Sequence, residues 1–143
     1  MIFFWRKFLN YFYILFFLFC SFITGSAYAL DIGANATSTV NTDSTVLQKF
    51  TGSNATLKVI DGATLLRDNQ PSLINEQTGG TVIVESGSTI SARVANTIQG
   101  IDSANLTITN SGTIKAGTSK AINLTDNEGA RVTNNAGAII QSD

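Results

Sequence analysis

Residues 82–92 read VIVESGSTISA and residues 106–116 read LTITNSGTIKA. Each stretch runs from an apolar residue through a spacer and a β-branched residue into a small polar turn. Each closes on Thr-Ile and, two places later, Ala. A third copy, LKVIDGATLLR, lies upstream at 57–67, and a fourth begins at Ala130-Arg131-Val132. Aligned, one column holds Val59, Val84, Ile108 and Val132, at steps of 25, 24 and 24. A second holds Leu57, Val82 and Leu106. A third holds Leu65, Ile90 and Ile114, and continues to Ile139 if one extra residue near Asn135 forms a bulge or a longer turn. Outside the phrase, Leu73, Ile98 and Ile122 recur at 25 and 24. Self-similarity at a fixed period of about two dozen residues marks a repeat architecture.

Within each copy the apolar residues alternate, which is strand period and not helix period. Between the two strands of a copy lies a small polar corner, with Asp61, Ser86, Asn110 and Asn134 in one column. Gly and Asn tolerate the left-handed backbone that a sharp corner needs. Coils of about 24 residues stacked in parallel would place like residues about 4.8 Å apart, so each coil buries the same face against its neighbour. The fold class expected is all-β, a right-handed parallel β-helix (β-solenoid) with coils of about 24 residues. Residues 30–51 read as an N-terminal cap or irregular first coil, and residues 52–143 as the repeats. Residues 66–79, with Pro71 and Gly79, read as a loop-like third side.

The N-terminus differs in character. Arg6 and Lys7 precede a nearly unbroken apolar run from Phe8 to Ile23, followed by Ala27-Tyr28-Ala29. A charged start, an apolar middle and small residues at −3 and −1 describe a cleavable signal peptide over 1–29, cut between Ala29 and Leu30. The alternative of an uncleaved anchor fits less well, because the run is short for a span and a cleavage site follows it. A lipoprotein signal at Cys20 is disfavoured by the bulky Phe19 before it.

Beyond residue 29 the chain has one aromatic residue, Phe50, one proline, Pro71, and no Cys, His or Met. Seven basic and ten acidic residues give that part a net charge of −3. That balance offers no electrostatic reason to expect nucleic acid as a partner. The missing His and Cys exclude nucleophilic triads and the usual zinc sites. The acidic residues do not align in columns, so no catalytic, cofactor-binding or metal-binding residues are assigned and no cofactor is expected. Asn-x-Ser/Thr sequons occur at Asn35, Asn54, Asn105 and Asn123. In so Asn- and Thr-rich a chain they read as chance.

The leader, the Thr/Asn/Gly-rich start and phrases such as ITNSGTIKA and VTNNAGAII resemble the passenger domains of autotransporters, the type V secreted proteins of Gram-negative bacteria. The resemblance covers roughly residues 52–143 and the layout of the N-terminus. It implies a right-handed β-helix exported by the inner-membrane machinery and displayed at the cell surface through a C-terminal translocator barrel. It also implies a structural or adhesive role without catalysis and a ligand the sequence does not name. The pattern departs from the family at Asp143, where the sequence ends in mid-repeat with no barrel strands. A fragment, a truncated reading frame and a β-solenoid of another kind all fit that ending. The alternative function is a secreted β-helix that binds or cleaves polysaccharide. Exposed carboxylates and aromatics on one face would favour it, and the lone Phe50 speaks against it.

Overall fold

The computed structural model describes residues 29–143. The signal peptide expected over 1–29, including Ala27, thus lies outside the described residues except for Ala29. Among the described residues the chain forms short strands and no helix. One sheet contains β1 (Leu30–Ile32), β3 (Gln48–Phe50), β6 (Leu73–Asn75), β9 (Ile98–Ile101) and β12 (Ile122–Thr125), in that order. A second contains β2 (Thr37–Val40), β4 (Thr56–Val59), β7 (Thr81–Val84), β10 (Thr107–Asn110) and β13 (Arg131–Asn134). The third contains β5 (Thr64–Arg67), β8 (Thr89–Ala92), β11 (Thr113–Ala116) and β14 (Ile139–Ser142).

Strands adjacent in sequence never pair; each pairs in parallel with its counterpart one coil away. The chain is therefore a parallel β-solenoid of about four turns. The strand period of two sets the inside and the outside. In β4, β7 and β10 the second and fourth residues are buried, while the first and third are only partly covered. The interior is a single cluster of aliphatic side chains and one ring, including Leu57, Leu65, Leu73, Ile90, Ile108 and the fully buried Phe50. At about 1.5–3 kcal/mol for each fully buried side chain of this kind, the cluster is the main stabilising term.

The pairing register corrects one column read from the sequence. Leu65, Ile90 and Ile114 stand opposite one another, as do Leu73, Ile98 and Ile122. Val59 stands opposite Val84, but Val84 faces Asn110 and not Ile108. Ile108 pairs with Val82 below and Val132 above, and so joins the column of Leu57. Leu106, placed in that column from the sequence, comes one position before β10 and is buried there. The cause is corner length. Four residues, 85–88, separate β7 from β8, whereas only Ser111 and Gly112 separate β10 from β11. A constant step of 24 aligns the strands after the corner and displaces those before it by two places. The strand after the last corner is displaced too: Ile114 pairs with Ile140, and Ile139 stands opposite Thr113 with its side chain 47% exposed.

The short corner depends on Gly112. A Cβ there would lie 2.3 Å from the Ser88 carbonyl oxygen and 2.4 Å from that of Glu85, both rigid backbone atoms. Size is also matched between coils. A Cβ on Gly80 would meet the Phe50 ring at 2.7 Å, so the one aromatic residue of the core fits because the next coil carries hydrogen at that point. The third side is more ordered than the sequence suggests, since the stretch 66–79 includes β6.

Residues 30–51 hold β1, β2 and β3; β1 pairs with β3 inside this stretch, while β2 pairs with β4 and β3 with β6. This first coil is short: Thr37 pairs with Thr56, 19 residues on, whereas Thr56 pairs with Thr81, 25 residues on. The missing length falls on the third sheet, where the single bridge Ser44–Leu65 stands in for a strand. A notch therefore opens beside β5.

Candidate functional site

The residues expected at the corner separate into two groups. Asp61 sits in a true turn with φ 57°, followed by Gly62 at 76°, and Ser86 precedes Gly87 at 80°. Asn110 and Asn134 instead end their strands and stand opposite each other. Asn110 is fully buried, and its amide is satisfied by the coil above. Nδ2 donates to Asn134 Oδ1 at 2.8 Å and to the Ile139 carbonyl at 3.0 Å, and Oδ1 accepts from Gly112 N–H at 3.2 Å. The sequence places all four residues in one corner column; the structure pairs only Asn110 with Asn134, the first buried and the second exposed, and their bond fastens one coil to the next.

The sequons also have a structural cause. Asn35, Asn54 and Asn105 hold φ of 56–57° at equivalent places just before β2, β4 and β10. Gly79 and Gly129 occupy the same place before β7 and β13, with φ of 76° and 72°. A left-handed position favours Asn or Gly, and the first outward place of the following strand takes Thr. Three of the four sequons thus come from corner geometry and not from chance; Asn123 lies within β12.

Among the described residues no group of three or more His, Cys, Asp or Glu side chains converges on a point. Among these residues three ion pairs lie on the outer faces: Lys49–Glu76, Arg93–Asp68 and Lys115–Asp143. Phe50, the one aromatic residue after residue 29, is wholly buried and offers no stacking platform.

Arg67 is the exception to this pattern, and nothing in the sequence singles it out. It occupies an inward place in β5, opposite the buried Ala92 and, one coil further, Ala116. An arginine there can keep its charge hydrated only by running its stem out of the core. The notch left by the short first coil is the exit. The guanidinium emerges to donate from Nη1 to the Thr45 carbonyl and from Nη2 to Gln70 Oε1, the latter at 2.6 Å. Its Nε–H is buried and has no partner among the described residues. Around it lies a cleft of about 730 Å³, walled by Leu66, Asp68, Asn69 and Arg93 as well as the groups just named. The signal available in sequence is an Arg in a column of small inward residues, legible only once the register is known.

Compared with protein-family models, curated proteins and solved structures, the chain matches none of them.

Proposed function

We propose that the chain is an exported, autotransporter-like passenger segment with a structural or adhesive task at the surface of a Gram-negative bacterium. The observation that carries this reading is the regular parallel stack itself. The outer faces carry scattered charges, some of them paired between coils, and the shape repeated from coil to coil suits a spacer or a display surface. In this reading residues 1–29 direct the chain to the inner-membrane export machinery and are removed after Ala29. A C-terminal translocator barrel, supplied from outside residues 1–143, would be its route to the surface. The coils wind right-handed, the hand that parallel crossovers in one sheet nearly always take. In this reading the role is non-catalytic.

N-terminal sequencing of exported material tests the reading. It should begin at Leu30-Asp31-Ile32, and external protease should reach the chain on intact cells. An intact N-terminus held in the membrane, or a chain protected inside the cell, would overturn it.

A second reading, a secreted β-helix that binds polysaccharide, is favoured by one specific observation, the polar cleft around Arg67.

A further inference from the structure

Among the described residues Arg67 has no counter-ion. The neighbouring carboxylate, Asp68, is engaged with Arg93 at 3.2 Å. The two acceptors that Arg67 does have, a backbone carbonyl and a side-chain amide, are both neutral. A guanidinium has five N–H donors in a planar fork, so two bonds leave most of its capacity unused. One of the remaining donors, Nε–H, is buried without a partner, a condition that native structures seldom leave unexplained. The cleft that Arg67 lines has the volume of a small-molecule site, typically about 300–1,000 Å³.

We propose that this cleft binds an acidic saccharide unit, with Arg67 receiving its carboxylate. The carboxylate forms a charge-assisted, two-point bond with the fork and takes the place of the Gln70 amide oxygen. Gln70 is exposed on the loop after β5 and is free to swing away. The rest of the wall suits hydroxyl groups. Asn69 offers an amide, Asp68 a carboxylate already fixed by Arg93, and Leu66 the one aliphatic side chain. A ligand with one carboxylate and several hydroxyls on a compact ring matches that set; an acidic peptide, lacking the hydroxyls, matches it less well. The inference rests on the binding reading given above. Its failure would leave the display reading standing, because export and surface exposure are measured separately.

The test uses the full chain, labelled with ¹⁵N, and follows the Arg67 Nε–H resonance during titration with trigalacturonate. The matched neutral galactose trimer and a tri-aspartate peptide serve as comparison probes. The expected result is a saturable shift with trigalacturonate alone, weakened roughly tenfold or more in Arg67→Met, in line with a lost charge-assisted bond. Because Arg67 also clasps Thr45, a second variant separates binding from folding. Gln70→Glu places a carboxylate on the fork from within; it should keep the fold and abolish the titration. No shift with trigalacturonate, an equal response to the neutral trimer or the peptide, or undiminished affinity in Gln70→Glu would each overturn the proposal.

Discussion

Asn110 Nδ2 reaches Asn134 Oδ1 at 2.8 Å from a position with no solvent exposure. A buried amide normally weakens an apolar core, yet here every direction in which it points ends in a partner on its own corner or the coil above. Two coils are thereby held in one register. An apolar pair alone would resist a slip of two residues poorly, because the inward alternation survives it.

Replacing Asn110 by Leu should destabilise the chain by about 2 kcal/mol, since the Gly112 amide and the Ile139 carbonyl lose a partner in the interior. Asn134→Leu, at the more exposed end of the pair, should cost less than half as much. Urea unfolding followed by circular dichroism measures both. Equal losses would show that the bond, and not the burial, sets the effect.

The corrected register makes a sharper claim about Ile108. It lies between Val82 and Val132, with Thr107 beside it facing outward. Ile108→Asp should cost about 3 kcal/mol or more, because it buries a charge among aliphatics. Thr107→Asp should change stability by less than about 0.5 kcal/mol. Similar losses for the two would contradict the inward assignment.

Gly112 and Gly62 separate two reasons for glycine. Gly112→Ala drives a Cβ against two backbone oxygens and should cost about 2 kcal/mol or more. Gly62 has φ 76° with open space around it, so Gly62→Asn should be close to neutral and Gly62→Ala should cost only about 1 kcal/mol. Thermal unfolding of the three variants gives the ranking.

Phe50 and Gly80 should be coupled. Gly80→Ala meets the ring of Phe50 at 2.7 Å, and Phe50→Leu should relieve part of the strain. A double-mutant cycle should return an interaction of about 1 kcal/mol or more. Strict additivity would mean that the ring moves aside without loss.

Protection against hydrogen exchange should fall along the stack. β7 and β8 are paired on both sides, whereas β13 and β14 are each paired on one side, with Val132 44% exposed. Amides of residues 131–142 should exchange well before those of residues 81–92. Uniform protection across both ranges would refute this ordering of stability.

Much of this architecture is legible in the order of residues, for a simple reason. The strand period is two and the coil period is nearly constant, so Val, Ile and Leu must recur wherever a coil covers its neighbour. Alternation at Leu57 and Val59, or at Val82 and Val84, is enough to tell inside from outside. The recurrence of Leu73, Ile98 and Ile122 marks a further inward column, although Pro71 and Gly79 around the first of these residues read as a loop and hide the strand that carries it. The length of each corner is what sequence alone leaves undecided. A corner of two residues and a corner of four both satisfy the hydrophobic pattern, because a shift of two keeps every inward residue inward. Only the packing of Gly112 under the Ser88 and Glu85 carbonyls selects the short corner, and that choice moves Ile108 beside Val82 and Asn110 beside Val84. Arg67 is hidden from the sequence for the same reason. Its inward place and its escape through the notch exist only in three dimensions, where a first coil of 19 residues fails to cover the second. The sequence by itself determined a stack of parallel strands with a known inner face; the tertiary structure decided which residues touch across coils, because contact depends on corner length, to which the hydrophobic period is blind.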